Sequence, residues 1–384
     1  MKYLNPSRLR ANIEERMAKD LEENNVSGVS LIVKQNGSTV YSSCFGTTVP
    51  GGDIPVTPDT LFRMASMTKP ITGVAVMRLV EQGKLRLDDD VERYLPQFSN
   101  MRVAILDENG NVTGSVPAQN KIKILHLLTH TSGLGSKECA VYYLARMTDA
   151  DRRTLQDSVN YFATTCLLFD PFTNQAYSGL MGFDVLAAIV EKITGEDYLT
   201  HLKRVLFDPL GMVNTTFTPS EEQWARLITM HNKVDGKSVV GHTVPGCVFH
   251  SYPASTRYGG GSGLISNVED YIKFAEMLRL GGSYGGVQIL KPETVAQMAT
   301  PHVPASIQPG KQRWGLSMRV IVSEEYQRLP VGAFGWSGAH GTHFWIDPVN
   351  GITAVYLKNS HFDGGSGATT SRHFEKDVAA ALED

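Results

Sequence analysis

The sequence predicts an α/β chain: one β-sheet assembled from both ends of the polypeptide, covered by helices, with a largely helical insertion between the two halves. Three observations carry that expectation. Residues 29–34 and 38–45 are β-prone runs joined at Asn36-Gly37, a strong hairpin signal. Four more strand candidates cluster late, at 316–322, 331–336, 342–347 and 352–358. Between these groups helical patterns recur at roughly 155–165, 179–194 and 198–207. At 384 residues the chain suits one large domain or two closely packed ones. The expected division is an α/β domain from residues 1–88 and 257–384 and a helical domain from 89–256.

Taken in order, residues 7–24 read as a charged helix with Leu9, Ile13, Met17 and Leu21 on one stripe. The hairpin follows, then a Pro/Gly/Asp-rich loop at 50–60. Ser66 to Gln82 reads as a helix, amphipathic or buried, carrying Ile71, Val74, Met77 and Val80, and Gly83 stops it. A small hairpin is expected near Asn109-Gly110, and residues 124–128 lead into His130-Thr131-Ser132-Gly133-Leu134. The later insertion helices end at Gly195 and before Pro209. Gly259 to Leu264 is a glycine-rich strand or turn. Ser266 is expected to cap the next helix, with Glu269 as its capping-box partner, and a closing helix runs from Ser371 to Leu382.

Composition narrows the function. Hydrophobic content of 42%, charged content of 20% and a net charge of −3 are ordinary for a globular protein. No basic block points to nucleic acid or an anionic membrane. No apolar run approaches 18 residues, and Met1 to Pro6 lack the apolar core of a secretory signal. The four cysteines (Cys44, Cys139, Cys166, Cys247) are scattered, as expected of reduced thiols in a cytoplasmic protein. The eleven histidines form no metal-binding pair, and His126 and His130, four apart, read as structural. Neither a metal nor a cofactor is expected, and phosphate-loop and dinucleotide fingerprints are absent. The sequence sets no oligomeric state.

Three short motifs carry candidate chemistry. In Ser66-Met67-Thr68-Lys69 the serine and lysine share a helix face, so Oγ and Nζ can meet. A serine hydroxyl needs a neighbouring base, and a lysine among apolar groups is more readily neutral than one in water. The helix N-terminus adds unpaired backbone N–H groups suited to an oxyanion. Tyr177-Ser178-Gly179 sits in a polar loop before a helix, where a tyrosine can shuttle a proton. Trp336-Ser337-Gly338-Ala339-His340-Gly341 joins two strand candidates, and its glycines let a backbone approach a ligand closely. A strand edge there can supply a second N–H, and each oxyanion donor contributes about 3–4 kcal/mol to a transition state. Alone, each motif is commonplace. Ser-x-x-Lys is usually a cap before a solvated lysine, the tyrosine a packed loop residue, and the third motif a tight turn.

Their order is more telling. Ser66-x-x-Lys69, then Tyr177, then the Trp336-Ser337-Gly338 turn resembles the serine β-lactamase-like and penicillin-binding superfamily, in its class C-like branch and most of all the family VIII carboxylesterases. Phe62 to Lys69, His126 to Leu134 and Gly259 to Leu280 also look like that superfamily's recurring segments. The resemblance implies an antiparallel sheet flanked by helices, an all-helical domain, and a site in the cleft between. It implies that Ser66 forms an acyl-enzyme, that Lys69 is its base, and that Tyr177 activates Ser66 or protonates the leaving group. It places the oxyanion hole at the amides of Ser66 and Ala339, with Trp336, Ser337, Gly338 and His340 binding a small-molecule ester.

Two departures bear on substrate. The usual asparagine two residues after the tyrosine is Gly179, and Trp336 stands where β-lactamases carry the lysine of Lys-Thr-Gly. Both losses weaken β-lactamase and peptidoglycan readings and favour an apolar ester. The expected activity is therefore carboxylester hydrolysis. The alternatives are acyl transfer, D-amino-acid amidase or peptidase activity, weak β-lactamase activity, or a catalytically silent binding protein.

Overall fold

The computed structural model describes residues 1–241 and 257–384; Cys247 and the expected boundary at 256/257 lie outside the described residues. Helix α1 (Pro6–Glu22) is capped by the Asn5 side chain, which accepts from Arg8 N, and Pro6 opens its first turn. Its Leu9, Ile13 and Met17 are buried. Strands β1 (Gly28–Gln35) and β2 (Ser38–Gly46) form the expected hairpin. Asn36 and Gly37 turn it at φ 51° and 85°, the left-handed pair that matches the twist of the flanking strands. Helix α2 (Thr68–Glu81) is buried continuously from Thr68 to Met77, so it is a core helix rather than an amphipathic surface one. Ser66 itself lies in a 3-10 turn, Ala65–Met67, one turn ahead of α2.

Helix α3 (Met181–Thr194) ends at Gly195, φ 72°, where a left-handed residue closes the last turn. Helix α4 (Val268–Arg279) precedes β3 (Gln312–Trp314), β4 (Arg319–Ile321), β5 (Phe334–Ser337), β6 (His343–Asp347) and β7 (Ile352–Leu357), and helix α5 (Thr369–Ala380) follows. The sheet runs β3-β4-β5-β6-β7-β1-β2, with every neighbouring pair antiparallel. β7 joins the two halves of the sequence: Ile352 faces Gln35 and Leu357 faces Ser30. Successive residues of β6 serve opposite faces, as a pleated strand requires. Phe344 and Ile346 pack with residues of α2 and α4, whereas Trp345 packs with those of α1 and α5.

Within residues 89–241 the expected hairpin is Arg102–Leu106 with Val112–Pro117, joined by the parallel strand Cys166–Leu167. No helix among the described residues is long and apolar enough to cross a membrane.

Two local expectations are corrected, and one strand was not foreseen. The cap of α4 is Asn267, not Ser266: Asn267 is extended (φ −120°, ψ 175°) and its side chain accepts from Asp270 N at 2.9 Å. Ser266 lies in the short strand Ile265–Ser266, its hydroxyl 2.7 Å from Thr215 Oγ1. The helix expected to stop before Pro209 continues to Leu210 through a π turn at Lys203–Phe207. That wider turn comes just where the ring and missing N–H of Pro209 oppose a regular helix. β3 was not foreseen, because three residues, two of them polar, leave no readable alternation.

Candidate active site

The serine turn is fixed from several sides. Phe62–Arg63 pairs with Ile265–Ser266, and Met64 N donates to Leu264 O at 2.9 Å. Thr342 Oγ1 donates to Met64 O at 3.0 Å and Tyr271 Oη to Met67 O at 2.8 Å. Between these anchors Ala65 is held at φ 47°, a conformation costly for a residue with a Cβ and sustained only by over-determined surroundings. Gly338, at the end of β5, rests against Met64 O and Thr342 Oγ1 so closely that no side chain fits. Among the described residues neither the Ser66 nor the Ala339 N–H donates a backbone hydrogen bond.

Lys69 follows one turn later and is fully buried. Its Nζ lies 3.2 Å from Ser66 Oγ, 2.6 Å from Gly179 O and 2.8 Å from Gly261 O. The Tyr177 and Phe183 rings lie beneath it, at 5.1 and 5.5 Å. These carbonyls reach the amine because glycines let two segments meet. Gly260 is pressed onto Phe183 O, and Gly261 onto the backbone of Leu180. Asp184 of α3 accepts from Gly261 N at 3.0 Å and pairs with the buried Arg257 at 2.5 Å. Thr72 Oγ1 donates to Gly260 O at 2.7 Å. The result is a hydroxyl beside an amine whose other two hydrogen-bonding directions are taken by carbonyls, an arrangement able to pass a proton.

Tyr177 projects from a loop pinned by His130. Burial pushes the His130 pKa well below its ordinary value, and the Lys69 charge adds to that. The ring is therefore neutral, and its Nδ1 accepts from Ser178 N at 3.0 Å. Ser178 Oγ in turn accepts from Gly182 N at 3.0 Å, in the first turn of α3. The Tyr177 ring contacts His130 (centroids 4.5 Å), Trp336 (5.3 Å) and Trp314 (6.0 Å). Trp336 Nε1 donates to Tyr177 Oη at 3.3 Å.

These groups border a cavity of about 370 Å³, within the usual range for small-molecule sites. Ser66, Tyr177, Trp336, Ser337 and Ala339 line it, and Lys69 stands behind Ser66. Gly338 lies behind the lining, against the serine turn. His340 is outside the lining: the turn ending at Gly341 (φ 95°) leaves its ring 6.3 Å from that of His361. Trp314, Arg319, Gln175 and the Gly365-Ser366 turn also line the cavity, and none was anticipated. Arg313-Trp314-Gly315 offered an isolated tryptophan as a faint signal; the others offered none. Through Gln175, Gln308 and Gln312 the cavity opens into a second, polar groove of about 560 Å³ that reaches Lys311, Tyr326 and Arg328.

Comparison with known proteins gives consistent findings. Residues 9–374 match a family model described as Beta-lactamase. Esterase EstB of Burkholderia gladioli is 29% identical over 395 residues, covering 96% of this chain and 94% of that protein. Among solved structures, EstCE1, described as a hydrolase with promiscuous acyltransferase activity, superposes with a TM-score of 0.80 at 26% identity, over 97% of this chain and 99% of that one. A family VIII carboxylesterase shares the fold at a TM-score of 0.77 and 18% identity, over 97% of each chain.

Proposed function

We propose that this chain, which belongs to the beta-lactamase family and is a serine hydrolase, cleaves carboxylic esters through an acyl-enzyme on Ser66. The observation that carries the reading is the environment of Lys69. Its Nζ donates to Gly179 O and Gly261 O and lies 3.2 Å from Ser66 Oγ, so the amine is positioned to exchange a proton with the hydroxyl. It takes the hydroxyl proton as Oγ attacks the ester carbonyl. The developing oxyanion is met by the amides of Ser66 and Ala339. Tyr177 Oη accepts from Trp336 Nε1 and keeps its own hydrogen for the departing alkoxide. That proton is restored from Lys69, leaving acyl-Ser66 and a free alcohol. Water then repeats the sequence, releasing the carboxylic acid and regenerating Ser66.

The site favours esters over β-lactams. The aromatic walls Trp314 and Trp336 offer apolar contact where a carboxylate-binding lysine is expected in β-lactamases, and the similarity to an esterase spans nearly the whole chain. Acyl transfer to an alcohol is the second reading. It is favoured by the polar groove joined to the cavity, which gives an acceptor alcohol its own approach.

Intact-mass spectrometry during turnover of p-nitrophenyl butyrate tests the proposal. A butyryl adduct mapped to Ser66, absent in Ser66→Ala together with turnover, is the expected result. Full activity in Ser66→Ala refutes the nucleophile. Nitrocefin turnover as fast as that of the ester refutes the substrate class.

A further inference from the structure

Behind the cavity, on the sheet face covered by α5, buried side chains run from Ser337 to Glu375. Ser337 and His343 are direct cross-strand partners on β5 and β6. Ser337 Oγ lies 2.8 Å from His343 Nδ1, and His343 Nε2 lies 3.1 Å from Glu375 Oε1. Glu375 also accepts from Arg319 at 2.5 Å, from Arg328 at 2.8 Å and from the Tyr326 hydroxyl at 3.2 Å. Ser337, His343 and Glu375 are each 2% exposed and Arg319 4%. Ser337 and Arg319 both line the cavity, and among the described residues Arg319 is the charged side chain that does so.

This chain has a direction. Burial pushes the Glu375 carboxyl up, but the Arg319 charge and the His343 and Arg328 hydrogen bonds outweigh it and hold the group well below the usual carboxylate range. Glu375 is therefore a carboxylate and can only accept. Burial pushes His343 down and outweighs the upward pull of Glu375 and of a hydrogen bond to the Trp336 backbone, which favours a neutral imidazole with a single N–H. That hydrogen belongs on Nε2, because the other tautomer sets a nitrogen lone pair against a carboxylate oxygen. Nδ1 is then an acceptor, and Ser337 must donate its hydrogen to it. The Ser337 hydroxyl thus has only lone pairs left for a ligand. Arg319 is meanwhile engaged by Glu375, whose single carboxylate it shares with Arg328.

We infer that Ser337 is a specificity-determining acceptor whose polarity is set by His343, Glu375 and Arg319, so that the site takes substrates neutral at this wall and turns away those with a carboxylate there. The inference rests on the ester-hydrolase reading above and names the substrate class within it.

Two measurements test it. In protein labelled with nitrogen-15 at histidine and assigned from the backbone, a long-range proton–nitrogen spectrum is expected to show His343 as the Nε2–H tautomer. An imidazolium or an Nδ1–H tautomer overturns the inference. The second measurement is the ratio of kcat/KM for p-nitrophenyl hexanoate to that for the mono-p-nitrophenyl ester of adipic acid. These esters match in length and differ in a terminal carboxylate. The wild-type ratio is expected to be at least about tenfold, the size of one mismatched buried polar group. Glu375→Gln, which frees the Arg319 charge and permits the other His343 tautomer, is expected to lower the ratio about tenfold. An unmoved ratio in a variant that still melts cooperatively overturns the inference. Should Glu375→Gln fail to fold, Ser337→Ala removes the lone pairs and is read the same way: a falling ratio supports the inference and an unchanged one overturns it. No hexanoate turnover in wild type defeats the ester reading, while the His343 tautomer still reports on the chain of side chains.

Discussion

Gly338→Ala is a backbone test of the oxyanion site. Gly338 N donates to Thr342 O at 2.7 Å, and Thr342 Oγ1 donates to Met64 O at 3.0 Å, so β5 and the serine turn are held in one register. A Cβ at position 338 collides with Met64 O and Thr342 Oγ1, far inside the 3.0 Å that real Cβ atoms respect, and meets Ala65 Cβ at 3.3 Å. Met64 cannot yield easily, because its own amide is tied to Leu264 O. The end of β5 must therefore back away by roughly 1 Å, a displacement that costs about 10²-fold in a positioned reaction. Ala339 is the next residue, so its amide moves with it. Loss of one oxyanion donor costs about 10²–10³ in kcat, or about 2.7–4 kcal/mol. The strain adds a stability loss of about 1–3 kcal/mol. The assay is steady-state hydrolysis of p-nitrophenyl butyrate with a thermal melt of the same preparation. A folded variant with kcat within threefold of wild type refutes the assignment of the Ala339 amide.

Lys69→Ala is expected to lower kcat on the order of 10² or more. It also strips a donor from the carbonyls of Gly179 and Gly261, about 1–3 kcal/mol for each left unmet, which urea denaturation measures. Near-normal turnover means that another group is the base. Tyr177→Phe keeps the ring contacts with His130 and the tryptophans, so melting should change little while kcat falls on the order of 10²; an unchanged kcat removes Tyr177 from proton transfer. Trp336→Ala removes part of the aromatic wall, enlarges the cavity and is expected to shift preference toward longer acyl chains; an unchanged chain-length profile removes Trp336 from the acyl pocket. Glu375 gives a pH dependence. Its folded pKa lies well below the ordinary 4.5, so its stabilisation is full above 4.5 and is lost as pH falls from there toward the folded value. Urea midpoints of wild type and Glu375→Gln should therefore converge below pH 4.5; a gap constant down to pH 3 contradicts the pairing.

Much of the frame was legible because it rests on local rules. Asn36-Gly37 specifies its turn through two left-handed residues, and the Ser66 to Lys69 spacing fits one helical turn. The three motifs pointed to Ser66, Tyr177, Trp336, Ser337 and Ala339, which the fold gathers at one cavity, and to His340, which it leaves outside the lining. What stayed hidden is carried by atoms with no residue-type signature. The acceptors around Lys69 are backbone carbonyls from positions 179 and 261, which any residue possesses. Arg319 and Glu375 come together only when β4 and α5 pack, from a short strand and from a helix face that reads as ordinary surface charge. Capping failed by one position because Ser266 and Asn267 are both good caps, and the choice fell to the extended pairing of Ile265–Ser266 with Phe62–Arg63.

The position of β7 between β6 and β1 has a consequence for synthesis on the ribosome. β1 is made early and its central partner roughly 300 residues later. At translation speeds of about 5–20 residues per second, the nascent chain waits on the order of 15–60 s between Ser66 and Ile352. Throughout that interval Val29, Leu31 and Val33 belong to a hairpin with one bare edge, a template for unwanted pairing with other chains. Ala339 is also unmade for almost all of it. A half-built chain therefore carries its serine and lysine without the second amide, and the last strands close the sticky edge as they complete the site.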